Sequence, residues 1–184
     1  MRYRLLGNSG LRVSEAALST MTFGDDWGWG AAKDEARRVY DAFREAGGNF
    51  IDTANIYTNG TSESFLGDFM KGHRERVAIA TKYTNAAAGA DPNASGNHRK
   101  SMVQAVEASL KRLQTDYIDL YWVHIWDQIT PFEEVMRGWM IWFAKAKCST
   151  SASLMRRPGG SRRRTRLPAC GGGRPSSGCR SNTA

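Results

Sequence analysis

Four times between residues 16 and 137 a short apolar stretch of strand character gives way to a segment with helical periodicity. That alternation constrains the fold more than any other feature, because strands alternating with helices form parallel βαβ units. Strands are predicted over residues 16–20, 49–53, 77–82 and 117–123. The first helix is expected over 33–46, where Ala36, Val39, Tyr40 and Phe43 recur on one face and Gly47-Gly48 supplies the stop. The second runs over 63–71 with Ser62 as N-cap. The third covers 99–113, with Val103, Val106, Leu110 and Leu113 aligned. A fourth opens near Pro131, a residue tolerated in a first helical turn, and Phe132, Val135 and Met136 begin its apolar stripe. Ahead of these units, residues 3–13 read as a hairpin turning at Asn8-Ser9-Gly10.

Four units end at Arg137, and the chain changes character there. Residues 1–137 hold 16 Lys+Arg and 18 Asp+Glu; residues 138–184 hold the remaining 10 Lys+Arg of the chain's 26 and no acid. The net charge of +8 therefore belongs to the tail and says nothing about the first part. Cys148, Cys170 and Cys179 are all in the tail, in an odd number and without metal-ligand spacing. The organisation expected is 1–137 folded and 138–184 basic and disordered. No apolar run approaches the roughly 18 residues of a membrane span. The N-terminus lacks the apolar core of a signal peptide. A soluble cytoplasmic protein without a membrane partner is expected. A doubly wound sheet could close its core with four units, whereas a (β/α)8 barrel needs about 200 residues or more.

Asp52, Tyr57, Lys82 and His124 stand at or just beyond the C-terminal ends of consecutive predicted strands. Singly, each has a plain structural explanation: a strand-end cap, a loop aromatic, a solvated lysine, a core histidine. Together they stand where α/β folds collect functional groups. A phenol with a pKa near 10 is a poor acid at neutral pH. A neighbouring ammonium eases loss of its proton. Asp52 would keep Lys82 charged and in place, and His124 would orient a substrate oxygen. Such a group of residues protonates an oxygen on which negative charge develops.

The motifs around these residues resemble the aldo/keto reductase family. GNFIDTANIYTNGTSE, from Gly48 to Glu63, with Leu66-Gly67 beyond it, is similar to the family's first signature. RLQTDYIDLY, from Arg112 to Tyr121, followed by His124, is similar to the second. Ala80-Thr81-Lys82 matches the lysine strand and TMTFG, Thr20 to Gly24, the loop after the first strand; Ser19 stands where glycine is usual. The resemblance runs from about residue 3 to Arg137. It implies the N-terminal half of a (β/α)8 TIM barrel in four βα units. It also implies NADPH-dependent reduction of a small aldehyde or ketone. Tyr57 would be the general acid, Asp52 and Lys82 its tuning pair, and His124 the carbonyl orienter. Met21, Thr22 and Asp52 would lie near the nicotinamide, with no metal required. The second half of such a barrel carries most contacts to the cofactor's adenine and 2′-phosphate. The four units alone are therefore expected to be inactive.

The tail has two explanations. Arg162, Arg163, Arg164 and Arg166 could neutralise nucleic-acid phosphates. A frameshift accounts for more. Trp139-Met-Ile-Trp-Phe143, back-translated and read in the neighbouring frame, allows L-D-D-L-V. The following residues to Met155 allow K-G-K-V-L-Y-V-G-I-S-D, a helix end and a strand. Asn182-Thr-Ala184, if followed by a TGA stop, shifts to E-Y-S-L. Both ends then read like the family, so nucleic acid is not the expected partner. Pairing of two half barrels is a further possibility, weakened by a tail with no strand pattern. Asp25-Asp26-Trp27-Gly28-Trp29-Gly30 and Trp126 are expected to line the mouth of the site as an apolar or aromatic wall.

Overall fold

A computed structural model describes residues 1–85, 91–144 and 148–152. The N-terminal hairpin pairs β1 (Tyr3–Leu5) with β2 (Arg12–Ser14). Five parallel strands follow: β3 (Ala17–Ser19), β4 (Phe50–Asp52), β5 (Ala78–Tyr83), β6 (Ile118–Val123) and β7 (Cys148–Ala152). Between them lie α1 (Lys33–Glu45), α2 (Thr61–Phe69), α3 (Arg99–Leu113) and α4 (Phe132–Ala144). The strands lie in chain order, β3-β4-β5-β6-β7. A doubly wound sheet reverses direction at a switch point; no reversal occurs among the described strands, and the winding is that of a barrel.

The core lies between one face of the sheet and the helices. Ile51, Ile79, Tyr83, Tyr121 and Val123 meet Tyr40, Leu66, Phe69, Met102, Val106 and Leu113 there. Side chains alternate along a strand. Thr81 and Tyr83 of β5 therefore face the helices, and Lys82 between them faces the other way. This one-residue alternation puts the lysine at the site.

Two polar features hold the helices in register. Glu63 of α2 is fully buried and accepts Thr81 Oγ1 at 2.6 Å and Arg112 Nε of α3 at 2.7 Å. The backbones of α2 and α3 also meet closely, since a Cβ on Gly67 would stand 2.4 Å from the Arg112 carbonyl oxygen. Deeper in the sheet, Arg74 pairs with Asp119 at 2.7 Å and stacks over Tyr117.

Several local expectations are corrected. The hairpin loop holds Asn8–Gly10 as expected but begins one residue earlier, at Gly7 in the left-handed region with φ 57°; Leu6 and Leu11 close it. Val39 is exposed, because α1 buries Ala36 and Tyr40 and turns Val39 away. Ser62 does not cap α2. That helix begins at Thr61 after a left-handed Gly60, and its Ser62 N–H donates to Thr58 Oγ1.

Helix α4 runs on through Ala144. Trp139 is buried in the core, and Gly138 lies against the Met102 sulfur. The apolar spacing Val135, Trp139 continues past the point where composition changes, and packing follows the spacing. Beyond it β7 extends the sheet, with Leu120 beside Thr150 and Trp122 beside Ala152. The arginine cluster at residues 162–166, Cys170 and Cys179 lie outside the described residues.

Candidate functional site

The four residues named from the sequence converge at the C-terminal rim of the sheet. Asp52 ends β4 and Lys82 is the penultimate residue of β5. His124 directly follows β6 and continues its ladder, donating its N–H to Tyr83 O at 2.9 Å. Tyr57 opens a single 3₁₀ turn, Tyr57–Gly60.

That turn is built by Thr58 and Asn59, both left-handed with φ of 45° and 57°. Such a conformation is unusual for a β-branched residue and persists only where the surroundings enforce it. Here buried Thr58 donates its hydroxyl to Phe23 O at 2.6 Å and accepts from Ser62 N at 3.1 Å. Thr20, Thr53 and Ser62 form a buried hydroxyl cluster beneath, with contacts of 2.8–3.1 Å. The loop after β3 and the start of α2 are thus tied together around the tyrosine.

Lys82 is the centre of the site. Its Nζ lies 2.6 Å from Asp52 Oδ2, 2.8 Å from Thr53 O and 3.1 Å from the Tyr57 oxygen. An ammonium has three donors and no acceptor, so all three are used. The phenol oxygen thereby accepts from Lys82, and its own proton is left to point elsewhere. The Tyr57 and His124 rings meet edge to face, their centroids 6.0 Å apart at 85°.

Burial chiefly, and then the Lys82 ammonium, hold the His124 pKa below its ordinary 6.5, with Asp52 acting weakly against them. The ring is neutral at pH 7. Its Nδ1 is buried and without a partner. A buried N–H left unpaired is rarer than an under-satisfied acceptor. This favours the tautomer with the proton on Nε2, the nitrogen open to the site.

Met21 and Thr22 are exposed at the same rim. Their neighbour Thr20 donates its N–H to the Asp52 backbone oxygen at 3.0 Å, which ties the start of their loop to the end of β4. Trp27 and Trp29 pack together with centroids 5.5 Å apart, and Trp29 is exposed. Their loop is anchored to the tyrosine turn where Thr61 donates to Asp26 at 3.0 Å. Trp126 instead packs on Phe132 and is half-buried. Motif reading noted Glu63 and Arg112 only as parts of signatures; each proves to be the other's partner. Asn97 and Asp127, joined beside the site, were missed altogether, since an isolated Asn and Asp 30 residues apart carry no periodic or motif signal.

Comparisons with known proteins identify the family. The profile of the Aldo/keto reductase family matches residues 17–140. AAD6 of Saccharomyces cerevisiae, named as an aryl-alcohol dehydrogenase, is 42% identical over 170 residues, covering 86% of this chain and 80% of its own length. Norsolorinic acid reductase of Aspergillus flavus is 46% identical over 147 residues, which is 74% of this chain but 38% of the relative. The chain thus spans well under half of that relative. A solved aldo-keto reductase of Bacillus halodurans, in its holo form, superposes with a TM-score of 0.73 at 32% identity, covering 84% of this chain and 51% of that one. With the profile matching most of the chain, this protein belongs to the aldo/keto reductase family.

Proposed function

We propose that the described residues form the proton-donating half of an NADPH-dependent carbonyl reductase site, acting on small aldehydes or ketones. The observation that carries this is the three-way engagement of Lys82, which leaves the Tyr57 proton free for a substrate oxygen. As negative charge grows on that oxygen, the Tyr57 hydroxyl gives up its proton, and Lys82 stabilises the phenolate left behind. Asp52 and Thr53 O hold the ammonium in place. The neutral His124 donates from Nε2 to the same oxygen and sets its direction.

Residues at the rim fit a nicotinamide. Met21 and Thr22 are exposed in the loop that Thr20 ties to Asp52, and the Asp52 side chain is 29% exposed and so open to a ligand. NADPH, when bound, supplies the hydride to the carbonyl carbon. The exposed Trp29 offers a flat apolar wall, and the aryl-alcohol and norsolorinic acid relatives bear names of aromatic substrates. A planar aromatic carbonyl is the substrate class that follows, and a cytoplasmic location goes with that reading.

We further propose that the reading frame shifts near Gly138. The family profile ends at residue 140, close to the change in composition. With synonymous third bases chosen to suit, the shifted frame allows V-L-Y-V-G over residues 147–152, which take in β7. Sequencing the gene across the codons for Arg137 and Gly138 tests this directly, and an unaltered frame there refutes it. The 184-residue chain is expected to bind NADPH weakly and not to turn over; micromolar affinity in a monodisperse preparation would overturn that. A frame-restored protein should consume NADPH with aromatic aldehydes. Its Tyr57→Phe variant should lose about 10²–10⁴-fold in kcat, the usual range for removing a general acid. Undiminished turnover by that variant would sink the assignment.

A further inference from the structure

Asn97, in the segment between β5 and α3, is fully buried. A buried amide is costly unless its donors and acceptor are matched. Here all are. Its Nδ2 donates to Thr84 Oγ1 and to Ile125 O, both at 2.9 Å. Its Oδ1 accepts from Asp127 N at 2.7 Å, and its own N–H donates back to Asp127 Oδ2 at 2.7 Å. Its carbonyl accepts from the Tyr83 hydroxyl at 3.2 Å. Asp127 in turn accepts from the backbone N–H groups of Ile129 and Thr130, and from the Thr130 hydroxyl at 2.7 Å.

These partners bracket the candidate site. Tyr83 and Thr84 directly follow Lys82, and Ile125 directly follows His124. The His124 N–H is held by Tyr83 O, and the next carbonyl along, that of Ile125, is held by Asn97. Apolar packing holds this loop only through Trp126 on Phe132, because Ile125 is 54% exposed and Ile129 87% exposed. The loop after β6 is fixed chiefly by hydrogen bonds, and they pass through one asparagine and one aspartate.

We propose that Asn97 and Asp127 are positioning residues, a reciprocal clasp that locks the loop after β6 onto the end of β5 and so holds the His124 ring in place against Tyr57. The inference deepens the reading of His124 as the group that orients the carbonyl, and rests on it. A ring that aligns a reacting oxygen must be held to within about half an ångström. Neither residue touches substrate or cofactor; both act through His124.

The test is the ring NMR of the 184-residue chain labelled at histidine, comparing Asp127→Ala and Asp127→Asn with the unsubstituted protein. Only His73, His98 and His124 contribute signals. In Asp127→Ala the clasp opens, His124 hydrates, and its titration midpoint should move up toward the ordinary value by about half a unit or more. Asp127→Asn keeps one acceptor oxygen and should give a smaller shift in the same direction. His73, bonded to Tyr40 at 2.8 Å far from the loop, should not move. A His124 midpoint unchanged in a folded variant overturns the proposal, as does an equal shift of His73, which would mark general loosening. If Asp127→Ala does not fold, Asp127→Asn decides by the same criterion. A His124 that titrates at or above 6.5 in the unsubstituted chain would count against the site reading instead; the clasp is judged on the difference between proteins.

Discussion

Replacing Arg112 with methionine should strand a carboxylate inside the protein. Glu63 is fully buried, and its two oxygens have one partner each, Thr81 Oγ1 and Arg112 Nε. The variant keeps the hydroxyl but removes the only opposing charge paired with Glu63 among the described residues. Breaking one side of a buried ion pair costs about 3–5 kcal/mol. A domain stable by about 5–15 kcal/mol would lose about a fifth of that stability or more. With a urea slope of about 2 kcal/mol per molar, the unfolding midpoint should fall by about 2 M. The opposite change is milder. Glu63→Gln leaves a neutral amide that can still accept from Thr81, and the arginine it deserts is 29% exposed and can turn to water. That variant should lose about 1–2 kcal/mol. The double variant should recover most of the Arg112→Met loss, because an uncharged pair has no stranded ion. Urea titrations followed by tryptophan fluorescence and far-UV circular dichroism would measure all three. Equal single losses that add in the double variant would refute the reasoning, since they would show no coupling between the two side chains.

Gly67→Ala should cost about 1–3 kcal/mol by overpacking, because its Cβ would meet backbone rather than a movable side chain; thermal unfolding would show it, and an unchanged Tm would mean the helices can separate freely. Burial raises the Asp127 pKa, but hydrogen bonds from Asn97, Thr130 and Ile129 outweigh it and hold the carboxyl at about 2, below its ordinary 3.8. Its folded pKa is depressed, so its contribution of about 1–2 kcal/mol is present above pH 4 and lost as the pH falls toward 2. Asp127→Asn should therefore flatten the acid limb of a stability-against-pH curve, and an unaltered limb would contradict the assigned bonds. In a frame-restored enzyme, Lys82→Met should lower kcat more than it raises KM, since the ammonium acts on charge that develops in the transition state; a pure KM effect would place the lysine in ground-state binding.

Local pattern in the sequence determined the elements and the rim residues. The period of apolar residues specifies helix or strand through contacts a few positions apart, so α1, α3 and strands β3 to β6 fell where periodicity put them. A strand end is a local property too, which is why Asp52, Lys82 and His124 could be placed on one rim, with Tyr57 beyond it, before any fold was known. Periodicity also carried α4 past Arg137, where composition alone argued for a break. Tertiary structure decided what depends on pairs distant in the chain. Strand order, which separates barrel winding from a doubly wound sheet, is set by which edges find each other. The same holds for the three acceptors of Lys82, the Glu63–Arg112 pair 49 residues apart and the Asn97–Asp127 clasp 30 apart. A buried ion or amide is stable only where its partners converge, and no local pattern in the chain records that meeting.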